Sequence, residues 1–270
     1  MPPLSSPFAD KEKHKMQTAA EQTLLSTISS NIQIRQIEPS IYTAFPDDSV
    51  ANTYDTDFGN IYDMVACNPI YNRLVWGYST KNYEKFTQES LSSTATGPLL
   101  DLACGSLAFT AKTYLQNTQR TVILSDQSIK MLKFAKKRIV KLRGDVPGNM
   151  IFLCADALSL PFQRTSFSTV LSLNLIHCLP DISTLLATVK RIATSTATMY
   201  FTTLVVSHRL ADRYLSALAN AGKLVSRDIT QLCTAFQDAG IEMKSEVHGN
   251  LAFIRGAANQ AMQPTGKAGG

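Results

Sequence analysis

Two stretches decide the fold: Leu99-Leu100-Asp101-Leu102-Ala103-Cys104-Gly105-Ser106-Leu107, and after it Val122-Ile123-Leu124-Ser125-Asp126-Gln127-Ser128. Each opens as a short apolar run and closes on an aspartate and small or polar residues. Pro98–Ala103 therefore predicts a buried strand, Phe109–Leu115 a helix, and the β-branched run Thr121–Ser125 a second strand ending at Asp126. Ser128 can cap the next helix, where Leu132, Ala135, Ile139 and Leu142 recur at intervals of three and four while Lys130, Lys133, Lys137 and Lys141 fall elsewhere on the wheel.

Outward from there the pattern repeats. Met150–Ala155 and Phe167–Leu175 read as strands, and a helix from Asp181 carries Ile182, Leu185, Val189 and Ile192. Thr198–Val205 is a fifth strand and His208–Ala221 a further helix. Strands alternating with helices at this spacing run parallel, joined by crossovers that cover both faces of the sheet. The end differs. Asp228–Ala239 is a helix with Gln231 at the capping-box position and Gly240 as its stop. Ile241, Met243, Ser245 and Val247 then alternate with charged residues, His248-Gly249-Asn250 turns, and Leu251–Ile254 returns. The expected fold is α/β: a Rossmann-like doubly wound seven-stranded sheet, five parallel strands plus a C-terminal antiparallel hairpin.

Composition agrees. At 270 residues and 44% hydrophobic the chain can bury one sizeable core, which argues against disorder or a stapled miniprotein. No apolar run approaches the ~18–20 residues of a membrane helix, and the first residues lack an apolar signal-peptide centre, so a soluble, cytoplasmic protein without an integral membrane segment is expected. The net charge of +5 is mild, and the basic residues between Lys112 and Arg143 suit a solvated helix face, so nucleic acid is not expected as a partner. Five isolated cysteines, never C-x-x-C, argue against disulfides and structural zinc. Residues 1–45 read as an N-terminal extension, partly helical or disordered, with a helix-like stretch at Asp10–Ser29. Residues 46–256 form the main domain, with a helical cap over 46–95, and 257–270 are a disordered tail.

In such a sheet, ligands bind beyond the carboxyl ends of the strands, where strand order reverses. The loop after the first strand, Ala103 to Ala108, is poor in glycine for a pyrophosphate site, and Asp101 would repel a diphosphate while suiting an ammonium group. The combination resembles the class I S-adenosylmethionine-dependent methyltransferases. Asp101 and Gly105 stand where that family has LDxGCGxG, and Val122–Ser128 with Met131-Leu132 is similar to its second-strand signature. Ala155-Asp156-Ala157 with Leu160-Pro161-Phe162 is similar to its third-strand end, and Phe167–Pro180 to its fourth strand and following loop. Tyr62-Asp63 through Asn72 and Trp76-Gly77 are similar to the small-molecule branch that includes quinone C-methyltransferases.

The resemblance implies S-adenosyl-L-methionine as cofactor, an in-line methyl transfer without a metal, and a small-molecule acceptor. It implies cofactor-binding roles for Asp101, Ala103, Cys104, Gly105, Ser106, Asp126, Gln127, Asp156, Ala157 and Asn174. Asp126 would hold the ribose hydroxyls, Asp156 and the Ala157 backbone the adenine. His177 is a candidate base, and Tyr62 and Tyr71 are candidates for the acceptor pocket. The aromatics from Tyr54 to Phe86 either form an apolar lid or dock helices on the sheet; Arg209, Asp212 and Arg213 either bind a polar acceptor or make a charged helix face. The chain departs from the pattern at Ala103 and Leu107, which replace glycines, at Ser168, which replaces an aspartate, and at Thr194–Thr196, which replace a Pro-Gly-Gly turn. Leucine disfavours positive φ, so the loop either takes another path with Ser106 facing the methionyl end, or binds the cofactor less well. A non-catalytic S-adenosylmethionine-binding or partner protein of the same fold is the alternative, and a nicotinamide oxidoreductase is disfavoured by Asp101.

Overall fold

The computed structural model describes residues 17–46, 68–117, 119–207 and 211–258. Its centre is a mixed sheet of nine strands: β1 (Arg35–Glu38), β2 (Ile41–Thr43), β3 (Leu99–Leu102), β4 (Val122–Asp126), β5 (Met150–Cys154), β6 (Phe167–Leu173), β7 (Ala193–Leu204), β8 (Ile241–His248) and β9 (Leu251–Ala258). Their spatial order is β1-β2-β5-β4-β3-β6-β7-β9-β8. From β2 to β7 all neighbours are parallel; β1 at one edge and the β9-β8 pair at the other are antiparallel. β3 and β5 are buried along their whole length, as strands covered on both faces must be.

Helices α1 (Ala19–Thr27), α5 (Ser183–Ile192) and α7 (Ile229–Asp238) cover one face through Leu24, Leu185, Val189, Leu232 and Phe236. Helices α2 (Lys81–Leu91), α3 (Ala111–Gln116), α4 (Ile129–Arg143) and α6 (Ala211–Asn220) cover the other through Tyr83, Phe86, Tyr114, Leu132, Ile139 and Leu215. The local signals act where the sequence puts them. Ser128 accepts from the Met131 N–H at the start of α4, and Asp228 and Gln231 form the capping box of α7. No helix among the described residues is long and apolar enough to cross a membrane.

The sheet has nine strands, not seven, and six of them are parallel. The extra hairpin β1-β2 comes from the polar N-terminal stretch: Ile41, Tyr42 and Thr43 are buried, and Ile41 stands against Phe152 of β5. Three residues are too few to show a period of two, so the segment reads as loop. α1 is tied to this hairpin by the Tyr42 hydroxyl, which donates to the Glu21 carboxylate. Part of the expected 10–29 helix, the Tyr54, Phe58 and Tyr62 positions, Arg209, and the tail beyond Ala258 lie outside the described residues. Ala257, expected in that tail, belongs to β9.

Two departures from the family pattern have a structural account. Arg120 is buried and its guanidinium donates to the Gly97 carbonyl at 2.9 Å, the Ser90 carbonyl at 2.8 Å, the Ser168 Oγ at 2.7 Å and the Thr169 Oγ1 at 2.6 Å. Ser168 thus serves as a neutral acceptor under the sheet. β7 starts at Ala193, directly after α5, so no Pro-Gly-Gly turn precedes it.

Candidate cofactor site

From β3 the chain winds outward through β4 and β5, then returns to the other side of β3 for β6. Strand order therefore reverses between β3 and β6, and the loops after β3, β4, β5 and β6 meet at one end. Register aligns their ends: Leu102 stands beside Ser125, and Asp126 beside Cys154. There lies a cavity of about 350 Å³, lined by Ala103 and Gly105 after β3, Asp126 and Gln127 at the end of β4, Asp156 and Ala157 after β5, and Asn174 and Leu175 after β6. Its volume falls within the usual ligand-pocket range.

The Asp126 carboxylate organises the entrance. Its Oδ2 accepts from the Gly105 N–H and its Oδ1 from the Ser128 N–H, both at 2.9 Å. Both oxygens are thereby held at the cavity wall, where a carboxylate can accept from a ligand hydroxyl. Asp156 is similar: its Oδ1 accepts from the Leu158 N–H at 2.9 Å, an Asx turn that fixes the carboxylate at the cavity wall.

Asp101 is 1% exposed at the end of β3, two residues before cavity-lining Ala103. Its Oδ2 accepts from the Tyr114 hydroxyl at 2.6 Å, and its Oδ1 is buried with no hydrogen-bond partner. Burial pushes its pKa up to about 7, with the Tyr114 hydrogen bond pulling down and the Asp126 charge adding to the rise. A buried carboxylate oxygen without a donor is costly unless a cation or donor reaches it.

The loop keeps a left-handed path despite its bulkier residues. Ala103, Gly105 and Leu107 have φ of 58°, 57° and 56°. Two L-residues there each cost roughly 1–2 kcal/mol. Leu107 is buried among the side chains that pack on the α2–α3–α4–α6 face of the sheet, and neither it nor Ser106 lines the cavity. The expected alternative path with Ser106 turned to the ligand is thus not taken; the Ser106 carbonyl instead accepts from the Arg138 guanidinium. Cys104 also stands off the cavity, its N–H bonded to the Ser125 carbonyl at 2.9 Å.

Of the three catalytic candidates, the two within the described residues do not line the cavity. Tyr62 lies outside the described residues. Tyr71 donates to the Tyr214 hydroxyl at 3.2 Å, and burial together with that hydroxyl pushes its pKa above the ordinary value. His177 is buried in the turn Ile176–Cys178, and its Nδ1 accepts from the Leu204 N–H at 3.2 Å. Burial, and then the Arg227 charge, lower its pKa to about 4. Neither Tyr71 nor His177 lines the cavity. Trp76, Tyr78, Tyr83 and Phe86 are core residues: Tyr83 stacks on Phe109 at 5.5 Å, and Phe86 meets Tyr200 and Phe253 edge-on. The described aromatics between 71 and 86 dock on the sheet and leave the cavity wall to others. Asp212 accepts from the Ser207 N–H and the Asn250 amide, a structural use at the foot of α6.

Met131, Ala155, Leu158, Leu173, Cys178, Leu179 and Lys223 complete the lining. Met131, Ala155, Leu173, Cys178 and Leu179 fall within the stretches that carry the resemblance, but sequence reasoning gave no role to Leu158 or Lys223; Lys223 arrives from the distant loop between α6 and α7 through the fold alone.

A carboxylate-lined cavity with a buried acid beside it fits a neutral nucleoside carrying an ammonium group better than a diphosphate. Residues 100–201 match the family described as "Methyltransferase domain". No curated protein matches the chain. Among solved structures, the chain is similar to phosphoethanolamine N-methyltransferase 2 of Haemonchus contortus in complex with S-adenosyl-L-methionine, at 17% identity and TM-score 0.59, over 81% of this chain and 62% of that one. It is also similar to the YcgJ protein of Bacillus subtilis, at 13% identity and TM-score 0.55, over 67% of this chain and 100% of that one. A third similar structure, a complex of the Haloferax volcanii Trm112 methyltransferase activator with a methyltransferase, shares 15% identity at TM-score 0.57, over 78% of this chain and 100% of that one. At these identities the structures speak to the fold, and the family match to the class. The match over residues 100–201, together with the fold, indicates a methyltransferase domain that uses S-adenosyl-L-methionine.

Proposed function

We propose that the protein methylates a small-molecule acceptor, and that the cavity at the β3/β6 switch point holds the cofactor. The observation that carries this is Asp126: a carboxylate at the end of β4 that lines the cavity and is fixed there by the Gly105 and Ser128 N–H groups.

When bound, S-adenosyl-L-methionine supplies an electrophilic methyl whose leaving group is a neutral thioether. The chain's own residues bind and orient. Asp126 accepts from the ribose hydroxyls, Asp156 from the adenine amine, and the backbone around Gln127 and Ala157 borders the ring. Ala103 and Gly105 let the backbone come close, and the anionic form of Asp101 supplies the charge that draws the ammonium end. Placing nucleophile, methyl and sulfur in line is worth ~7–11 kcal/mol, so no proton need be held by His177, whose Nδ1 lone pair is already engaged.

The likeness to an enzyme whose name gives phosphoethanolamine as its substrate supports a small acceptor. The resemblance to the quinone C-methyltransferase branch points to an aromatic or lipidic acceptor, for which Tyr62 and Tyr71 are the candidate residues the sequence offers.

The test is methyl transfer from methyl-tritiated S-adenosyl-L-methionine to a cell extract split by ultrafiltration. Label appearing in the low-molecular-weight fraction supports the reading. Label appearing only in protein or nucleic acid removes the small-molecule acceptor.

A further inference from the structure

Asn174 follows β6 at the cavity and holds a left-handed backbone, φ 62°. Its side-chain amide turns into the protein. Oδ1 accepts from the Thr202 Oγ1 at 3.1 Å, and Nδ2 donates to the Tyr83 hydroxyl at 2.7 Å. Tyr83 in turn donates to the Tyr78 hydroxyl at 2.9 Å, and Tyr78 to the Asn72 Oδ1 at 2.5 Å. Asn72 ends the run by donating from Nδ2 to the Asn68 carbonyl at 2.8 Å.

Every donor in this chain points the same way, from Thr202 towards residue 68. Thr202, Tyr83, Tyr78 and Asn72 are all buried. A one-directional chain of buried hydrogen bonds is mutually polarised, and breaking one link takes a partner from the polar groups on both sides. The chain joins two places that share no strand or helix: the turn after β6 at the cavity, and the helical segment 68–76.

We infer that Tyr83 is a positioning residue for cofactor binding, because its hydroxyl is the central link of the buried chain that holds the Asn174 turn against the cavity. Asn174 then contributes its backbone to the cavity, and its side chain serves the chain. This rests on the cavity being the cofactor site.

The test is calorimetric titration of S-adenosylhomocysteine into the full chain, wild type, Tyr83→Phe, Tyr78→Phe and the double variant, with Tm measured on each. Phenylalanine at 83 keeps the stack on Phe109, so a purely packing role predicts an unchanged Kd. The inference predicts that Tyr83→Phe weakens binding about tenfold and Tyr78→Phe, one link further away, about threefold. The double variant should lose less than the product of the two, since both cut one chain. An unchanged Kd in Tyr83→Phe, or single losses that multiply, overturns it. If Tyr83→Phe does not fold, Tyr78→Phe decides alone, and an unchanged Kd there overturns it. An Asp126→Ala control separates the two readings: if wild type binds, Asp126→Ala does not, and Tyr83→Phe does, the site stands and the positioning role falls. If wild type does not bind, both fall.

Discussion

The Gly105 N–H donates to the Asp126 Oδ2 at 2.9 Å, so the end of β4 grips the loop after β3. Gly105 has φ 57°, and a Cβ built on it meets nothing within 4 Å. Gly105 also lines the cavity. Gly105→Ala is therefore expected to lower stability by about 1 kcal/mol through its backbone. It should weaken S-adenosylhomocysteine binding tenfold or more, because the methyl takes up ligand space. Chemical denaturation and calorimetry check the two effects separately.

Ala103 and Leu107 are expected to respond in opposite directions to glycine. At Ala103, with φ 58°, glycine relieves strain and removes a methyl from the cavity wall. Stability should rise by up to about 1 kcal/mol, the relief being partly offset by backbone entropy, and the ligand should bind as well or better. Leu107 is 2% exposed, so Leu107→Gly relieves the same strain but forfeits about 2–3 kcal/mol of burial and should destabilise the protein. Thermal melts of both variants distinguish relief from loss of packing.

Asp101 predicts a pH dependence. Its folded pKa is about 7, raised above the ordinary value, so the folded state binds more protons than the unfolded one between about pH 4 and 7. The contribution to stability is present below the unfolded pKa and is lost as pH rises through 7. An ammonium group arriving beside the carboxylate favours its charged form, so S-adenosylhomocysteine binding near pH 7 should release a proton. Calorimetry in buffers of different ionisation enthalpy measures that release, and Asp101→Asn should abolish it.

His177 runs the other way. Its pKa is lowered to about 4, so the unfolded state binds more protons between about pH 4 and 6.5. Stability is lost as pH falls through that window, by up to about 3 kcal/mol. His177→Asn, which keeps an acceptor for the Leu204 N–H, should flatten the acid side of the stability profile while leaving the methyl-transfer rate within about twofold. A rate collapse with intact stability would restore the histidine as a base.

What was legible in the sequence was what repeats or caps. The β3-to-β7 alternation, the Ser128 cap and the Asp228–Gln231 capping box lie where their signals put them, because each rests on local chemistry, except that β7 begins at Ala193 instead of Thr198. The β1-β2 hairpin was not legible, since Ile41–Thr43 gains its burial from partners distant in sequence, β5 and α1. At the site, residues tied to strand ends are gathered at the cavity: Ala103, Gly105, Asp126, Gln127, Asp156, Ala157 and Asn174. Asp101, Cys104 and Ser106 are not: Asp101 is buried against Tyr114 behind the loop, and the other two fall between the residues at which φ turns left-handed. His177 reads as a base from its chemistry alone; the Leu204 N–H that occupies its lone pair is a contact made only by the folded chain.

The most direct measurement is calorimetric titration of S-adenosylhomocysteine and of NADH into the full-length protein and Asp126→Ala. The account predicts saturable micromolar binding of S-adenosylhomocysteine by the wild type and no heat from NADH. Asp126→Ala should lose tenfold or more in affinity while keeping its circular dichroism spectrum. Equal affinity in the two proteins, or no binding of S-adenosylhomocysteine at millimolar concentration, would contradict it.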